Sequence, residues 1–167
     1  MKIGITCPYS WDVPGGVQSH IRDLAEALID AGHKVSVISP ADDDTPLPPY
    51  VTGAGRAVPV PYNGSVARLS FGFLSVSRVR RWIKEGGFDV LHVHEPEIPS
   101  LSLLACWVAS GPIVATFHTA IPRSRVLLVT YPVVRTGMEK INGRIAVSEA
   151  ARIFLRRGTD GDRKSVV

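Results

Sequence analysis

The stretch KIGITCPYSWDVPGGVQSHIRDLAEALIDAG (residues 2–32) decides the fold. Lys2–Cys7 reads as a short strand that stops at Pro8. Pro8 to Gly16, rich in Pro, Gly and aromatic residues, reads as a loop. Val17, Ile21, Leu24 and Leu28 then fall at i, i+4, i+7 and i+11, on one helical face, while Arg22, Asp23, Glu26 and Asp30 look outward. Gly32 is a natural stop for that helix.

The same alternation continues downstream. Val35–Ser39 reads as a second strand and Ala57–Val60 as a short third, separated by a polar surface excursion over residues 40–56. Pro61-Tyr62-Asn63-Gly64 reads as a turn. Val76, Val79 and Ile83 make a helical face beside Trp82. Asp89–Val93 reads as a strand, Ile98–Ala109 as a helix and Ile113–Phe117 as a strand. Residues 125–141 read as helical, with a kink or break at Pro132. Arg144–Val147 is the last strand, and Ser148 is placed to cap a helix running to about Arg157. Strands alternating with helices predict an α/β fold, a doubly wound parallel sheet covered on both faces.

The chain has 167 residues, of which 45% are hydrophobic and 20% charged, a balance that excludes a disordered tail. One domain over residues 1–161 accounts for it. Cys7 and Cys106 are too few for a disulfide framework and suit a reducing compartment. The apolar runs Ile3–Cys7, Leu101–Ala109 and Val126–Val134 fall well short of the roughly 18 residues of a membrane span. A cytosolic chain, free or on a membrane surface, is therefore expected. Residues 162–167, DRKSVV, build no strand, and the common sequencing-adapter string GATCGGAAGAGCGTCGTG translates to the same six residues. We read them as a non-native tail on a truncated gene product, which resequencing of the parent DNA tests.

Ligands of doubly wound sheets bind outside the carboxyl ends of the strands, and the unusual polar residues collect there. Tyr9, Gly15 and Gly16 follow the first strand, and Tyr62 and Asn63 the third. His92, His94 and Glu95 close the fourth strand, His118 the fifth, and Ser148 follows the last. Gly15-Gly16 before a helix lets backbone N–H groups approach an anion, although a tight turn with no ligand fits the same residues. His92, His94, Glu95 and His118 could hold a metal, but hydrogen-bonded rim histidines are the favoured reading, so no metal site is assigned. His118, straight off a buried strand, can reach a bound sugar or phosphate; a structural strand-end histidine is the alternative. Arg78, Arg80, Arg81 and Lys84 beside Val76, Val79, Trp82 and Ile83 suit an anionic membrane surface or a solvated helix face. Nucleic acid is disfavoured, because no aromatic stacking platform accompanies the charges.

The runs CPYSWDVPGGVQSH (7–20), VPYNGSVARL (60–69), FDVLHVHEP (88–96), GPIVATFHT (111–119) and GRIAVS (143–148) resemble the phosphatidylinositol mannosyltransferases of actinobacteria, and more broadly the retaining glycosyltransferases of GT-B architecture. The resemblance reaches about residue 157 and implies two Rossmann-like domains across a cleft, of which this chain would be the N-terminal, acceptor-side one. It implies transfer of mannose from GDP-mannose to the inositol ring of phosphatidylinositol, with retention, by a peripheral protein on the inner face of the cell membrane. No tightly bound cofactor is implied, with Mg2+ a candidate activator. Carried over by position, Gly16, with Gly15, would approach the donor diphosphate. Gln18, Tyr62, Asn63 and Arg68 would bind the inositol-phosphate head group. Tyr9 and His118 would serve catalysis, His118 near the donor mannose. Arg78, Arg80, Arg81 and Lys84 would attach to the membrane, although Ser77 stands where relatives are often basic. Ala120-Ile121-Pro122 also departs from the usual polar residues. The resemblance implies that this chain alone is inactive. The alternatives are a related GT-B glycosyltransferase with another acceptor, and a non-catalytic module that binds anionic lipid.

Overall fold

The computed structural model describes the backbone of residues 1–62, 65–118 and 125–158; side chains at 60–67, 125–131, 154 and 156–158 are also outside the description. Asn63, Ala120-Ile121-Pro122 and the tail at 162–167 therefore lie outside the described residues, as does the side chain of Tyr62.

The chain runs β1 (Lys2–Thr6), α1 (Gly16–Asp30), β2 (Lys34–Ser39), β3 (Val51–Gly53), β4 (Val58–Tyr62), β5 (Ser65–Leu69), α2 (Phe73–Gly86), β6 (Val90–His94), α3 (Leu101–Val108), β7 (Ile113–Phe117), α4 (Arg125–Met138), β8 (Gly143–Ala146) and α5 (Glu149–Gly158). Six strands form one parallel sheet in the order β3-β2-β1-β6-β7-β8. This is the doubly wound, Rossmann-like order, with winding that reverses between β1 and β6.

Helix α1 buries Ile21 and Ala25 against Ile3, Ile5, Val37 and Val51 on one sheet face, with Val17, Leu24 and Leu28 flanking. The opposite face is a larger core. Val79 and Trp82 of α2, Leu101, Leu104 and Ala105 of α3, and Ala151 and Leu155 of α5 cover Leu91, Val93, Ile113, Ala115 and Phe117. Gly4 lets that layer close on β1, since a Cβ there would stand 2.6 Å from both Leu91 and Phe88 side chains. Ser148 accepts a hydrogen bond from the N–H of Ala151 at 3.2 Å and caps α5 as its position predicts. Pro132 sits inside α4.

The third strand differs from the sequence expectation. The outer strand of the sheet is Val51–Gly53, inside the expected surface excursion. Val58–Tyr62 instead forms an antiparallel hairpin with Ser65–Leu69. Pro59 and Pro61 remove alternate N–H groups from one edge of this strand, which pairs along its other edge with β5. Tyr62 therefore ends the first arm of the hairpin rather than a strand of the parallel sheet. The hairpin joins the rest through an antiparallel bridge from Leu69 to Tyr9.

Candidate functional site

From β1 the chain passes through α1 to β2, and from β6 through α3 to β7, in opposite directions along the sheet. The carboxyl ends of β1 and β6 thus flank a crevice at the switch point, where sheets of this kind bind ligands.

Tyr9, just past β1, spans that crevice and donates its hydroxyl hydrogen bond to the Glu95 carboxylate. Glu95 is fully buried and sits at φ 48°, in the left-handed region that non-glycine residues rarely adopt. Its N–H is held by the Thr116 carbonyl at 2.9 Å. A strained, buried acid at a strand end is a hallmark of a functional rim.

Gly15 is the extended residue before α1, and no side chain caps that helix end. The first N–H groups of α1 are therefore left for water or an anion. A Cβ on Gly16 would meet nothing within 4 Å, so the backbone here is open to approach. Gln18 is buried, and its amide nitrogen donates to the carbonyls of Ser10 at 3.2 Å and Val13 at 3.0 Å, which shapes the loop that precedes the helix.

Arg68 reaches the same loop. Its carbonyl accepts from the N–H of Ser10 at 3.1 Å, and its guanidinium lies 3.9 Å from the Asp12 carboxylate. The Ser10 hydroxyl donates to Asp12 at 2.6 Å, and this bond first, with help from Arg68, holds the Asp12 carboxyl below its usual range. Half of the Arg68 side chain remains exposed, leaving guanidinium donors for a phosphate.

Four histidines gather at the β6 and β7 ends. His92 stacks on His94 with ring centroids 4.6 Å apart, and His94 on His118 at 5.2 Å. Nδ1 of His94 and Nε2 of His118 share a hydrogen bond of 2.9 Å, and His92 bonds the Thr116 hydroxyl at 2.7 Å. The exposed His20 of α1 packs edge-on against His118 at 5.0 Å. Burial first, then the neighbouring His20, pushes the His118 imidazole down to about 4. His92 is likewise pushed down to about 4 and His94 well below its ordinary value, with burial the leading cause in both. His92, His94 and His118 are thus neutral at physiological pH. Glu97 is buried too, and burial, then the charge of Glu95, raises its carboxyl well above the usual range. Burial pushes the Cys7 and Cys106 thiols up to about 12, which makes them poor nucleophiles.

The structure thus links Tyr9, Gly15, Gly16, Gln18, Arg68 and His118 around one rim through a short series of contacts. The basic residues of α2 lie elsewhere. Arg78 donates to the Ala54 carbonyl at 2.5 Å, and with Arg81 and Glu85 it lines a groove beside β2 and β3. Phe73, Ser77, Arg80 and Lys84 follow helical spacing on one exposed face, with Phe73 96% and Leu74 75% exposed. Sequence reasoning passed over His20, although it lies one turn beyond Gly16 on α1, at i+4.

A doubly wound domain with an uncapped helix N-terminus and a polar rim at its switch point has the architecture in which phosphorylated ligands are commonly bound. Comparison with known sequences makes this specific: residues 14–167 match Glycosyltransferase Family 4, and the chain belongs to that family. The chain is 60% identical over 162 residues to the phosphatidyl-myo-inositol mannosyltransferase of Mycolicibacterium smegmatis, covering 97% of this chain and 42% of the relative. It is 42% identical over 158 residues to the protein of the same name from Propionibacterium freudenreichii, covering 90% of this chain and 42% of the relative. It therefore spans less than half the length of these curated relatives. Among solved structures, the UDP-GlcNAc 2-epimerase of Methanocaldococcus jannaschii matches with a TM-score of 0.62 at 15% identity, over 100% of this chain and 45% of that one. Sucrose-phosphate synthase of Thermosynechococcus elongatus matches with a TM-score of 0.57 at 17% identity, over 93% of this chain and 44% of that one. These two likenesses establish the shared fold.

Proposed function

We propose that this chain is the acceptor-side domain of a longer enzyme that transfers mannose from GDP-mannose to an inositol hydroxyl of phosphatidylinositol, with retention of configuration. The observation that carries this reading is the 60% identity to a phosphatidyl-myo-inositol mannosyltransferase over nearly the whole chain. The bond from the mannose anomeric carbon to the GDP phosphate oxygen breaks, and the inositol oxygen takes its place on the same sugar face. The departing phosphate accepts the hydroxyl proton, so no strong protein base is needed. Catalysis then rests on positioning and on stabilising the departing charge. The open backbone at Gly16 receives the diphosphate, Arg68 takes the head-group phosphate, and His118 offers a neutral imidazole toward the sugar. Tyr9, held by Glu95, shapes the floor between them.

The α2 face with Phe73, Leu74, Arg80 and Lys84 suits contact with the cytoplasmic leaflet, where each basic side chain contributes about 1 kcal/mol near an anionic surface. Among the described residues no helix is long and apolar enough to cross a membrane. The chain covers 42% of the Mycolicibacterium smegmatis relative, so the activity belongs to the full-length protein in this reading.

The test uses the full-length gene product with radiolabelled GDP-mannose and phosphatidylinositol vesicles. A labelled glycolipid is expected, with Arg68→Gln lowering its formation at least about tenfold, the scale of a lost charge-assisted bond. Transfer to soluble acceptors alone, or an Arg68→Gln enzyme as active as the parent, would point to a different acceptor.

A further inference from the structure

We propose that His20, His94 and His118 form a binding site for a single divalent transition-metal ion of the zinc class. One ring nitrogen from each histidine is available, and the three lie within 4.8 Å of one another. They come from three separate elements: α1, the end of β6 and the residue after β7. Tetrahedral zinc, with bonds to nitrogen of about 2.0–2.1 Å, sets its ligands about 3.3–3.4 Å apart. His94 Nδ1 and His118 Nε2 already stand 2.9 Å apart and share one hydrogen. An ion that replaces this hydrogen needs that pair to open by only a few tenths of an ångström.

The third ligand makes the larger adjustment, and it is the one free to move. His94 is fully buried and His118 partly so, whereas His20 is exposed on the first turns of α1. The donor set is all imidazole. Such a set favours Zn2+, Co2+ or Ni2+ over Mg2+ and Ca2+, which prefer oxygen. Three protein ligands leave a fourth position for water or an anionic oxygen.

The test titrates the 167-residue chain with Zn2+ by calorimetry and with Co2+ by visible absorption, at neutral pH with excess Mg2+. One ion per chain is expected, with the intense absorption bands of tetrahedral Co2+. His20→Ala and His118→Ala should each weaken binding at least about tenfold. His33→Ala, at a residue beside the amino terminus, should leave it unchanged. His20→Ala removes only an exposed side chain, and circular dichroism checks that each variant keeps its fold. Absence of the tetrahedral cobalt spectrum, or zinc affinity indifferent to both His20→Ala and His118→Ala, would overturn the proposal.

Discussion

One face of the sheet carries two different fillings. Over β1, β2 and β3 it is apolar, with Ile3, Ile5, Val37 and Val51 packed under Ile21 and Ala25 of α1. Over β6 and β7 the same face carries His92, His94 and Thr116, and His118 just beyond. The register proves that the face is shared, because Ile5 pairs with His92, and His94 with Thr116. Helix α1 covers the first half and only borders the second, through His20. The lesson is a division of labour along one surface: the apolar half fixes the helix, and the helix presents its N-terminus and one imidazole to the polar half. Stability and chemistry should therefore separate when each half is altered.

The largest expected effect lies on the apolar half. Ile21→Ala should destabilise the chain by about 3 kcal/mol, read from the urea midpoint, because Ile21 is fully buried among aliphatic neighbours. A cost below about 1 kcal/mol would mean that α1 is held by something other than this face.

The histidine half should respond to pH instead. His92 titrates near 4 in the fold and near 6.5 when unfolded, so the unfolded chain takes up the proton first as pH falls. Its contribution is present above about 6.5 and is lost as pH drops toward 4. Between pH 7 and pH 5 the loss is about 2 kcal/mol from His92 alone, and His94 and His118 shift the same way. Urea unfolding at the two pH values measures it, and His92→Gln should flatten the slope.

Glu97 works in the opposite sense. Its raised carboxyl pKa favours the fold fully below the unfolded value of about 4.5 and less as pH rises toward the folded one. Glu97→Gln should therefore have a higher urea midpoint than the parent at pH 7.5 and an equal one at pH 4. An equal midpoint at both would show that Glu97 is not held protonated.

Much of this was legible in the sequence, for reasons that name its limits. The 17, 21, 24, 28 stripe fixed α1 because helical period survives in a long element. The strand ends placed Tyr9, Gly16 and His118 at one rim because the rule for doubly wound sheets depends only on strand order. Strand β3 was hidden because three residues among Pro and Gly carry no period. The hairpin of β4 and β5 read as a parallel strand followed by a turn because its pairing partner, Ser65–Leu69, shows only once the chain is folded. The bond from Tyr9 to Glu95 spans 86 positions, and nothing local announces it. The recruitment of His20 to the histidine cluster likewise depends on how α1 lies across the sheet.

The most direct measurement is a paired one on Gly16→Ala in the full-length enzyme: thermal midpoint beside mannolipid formation from GDP-mannose. A Cβ at this position meets nothing within 4 Å among the described residues, so the fold should be undisturbed. Where the donor diphosphate lies against this backbone, the added methyl displaces it, and turnover should fall about a hundredfold with the midpoint unchanged. Turnover within twofold of the parent would place the diphosphate elsewhere and contradict the account of the rim.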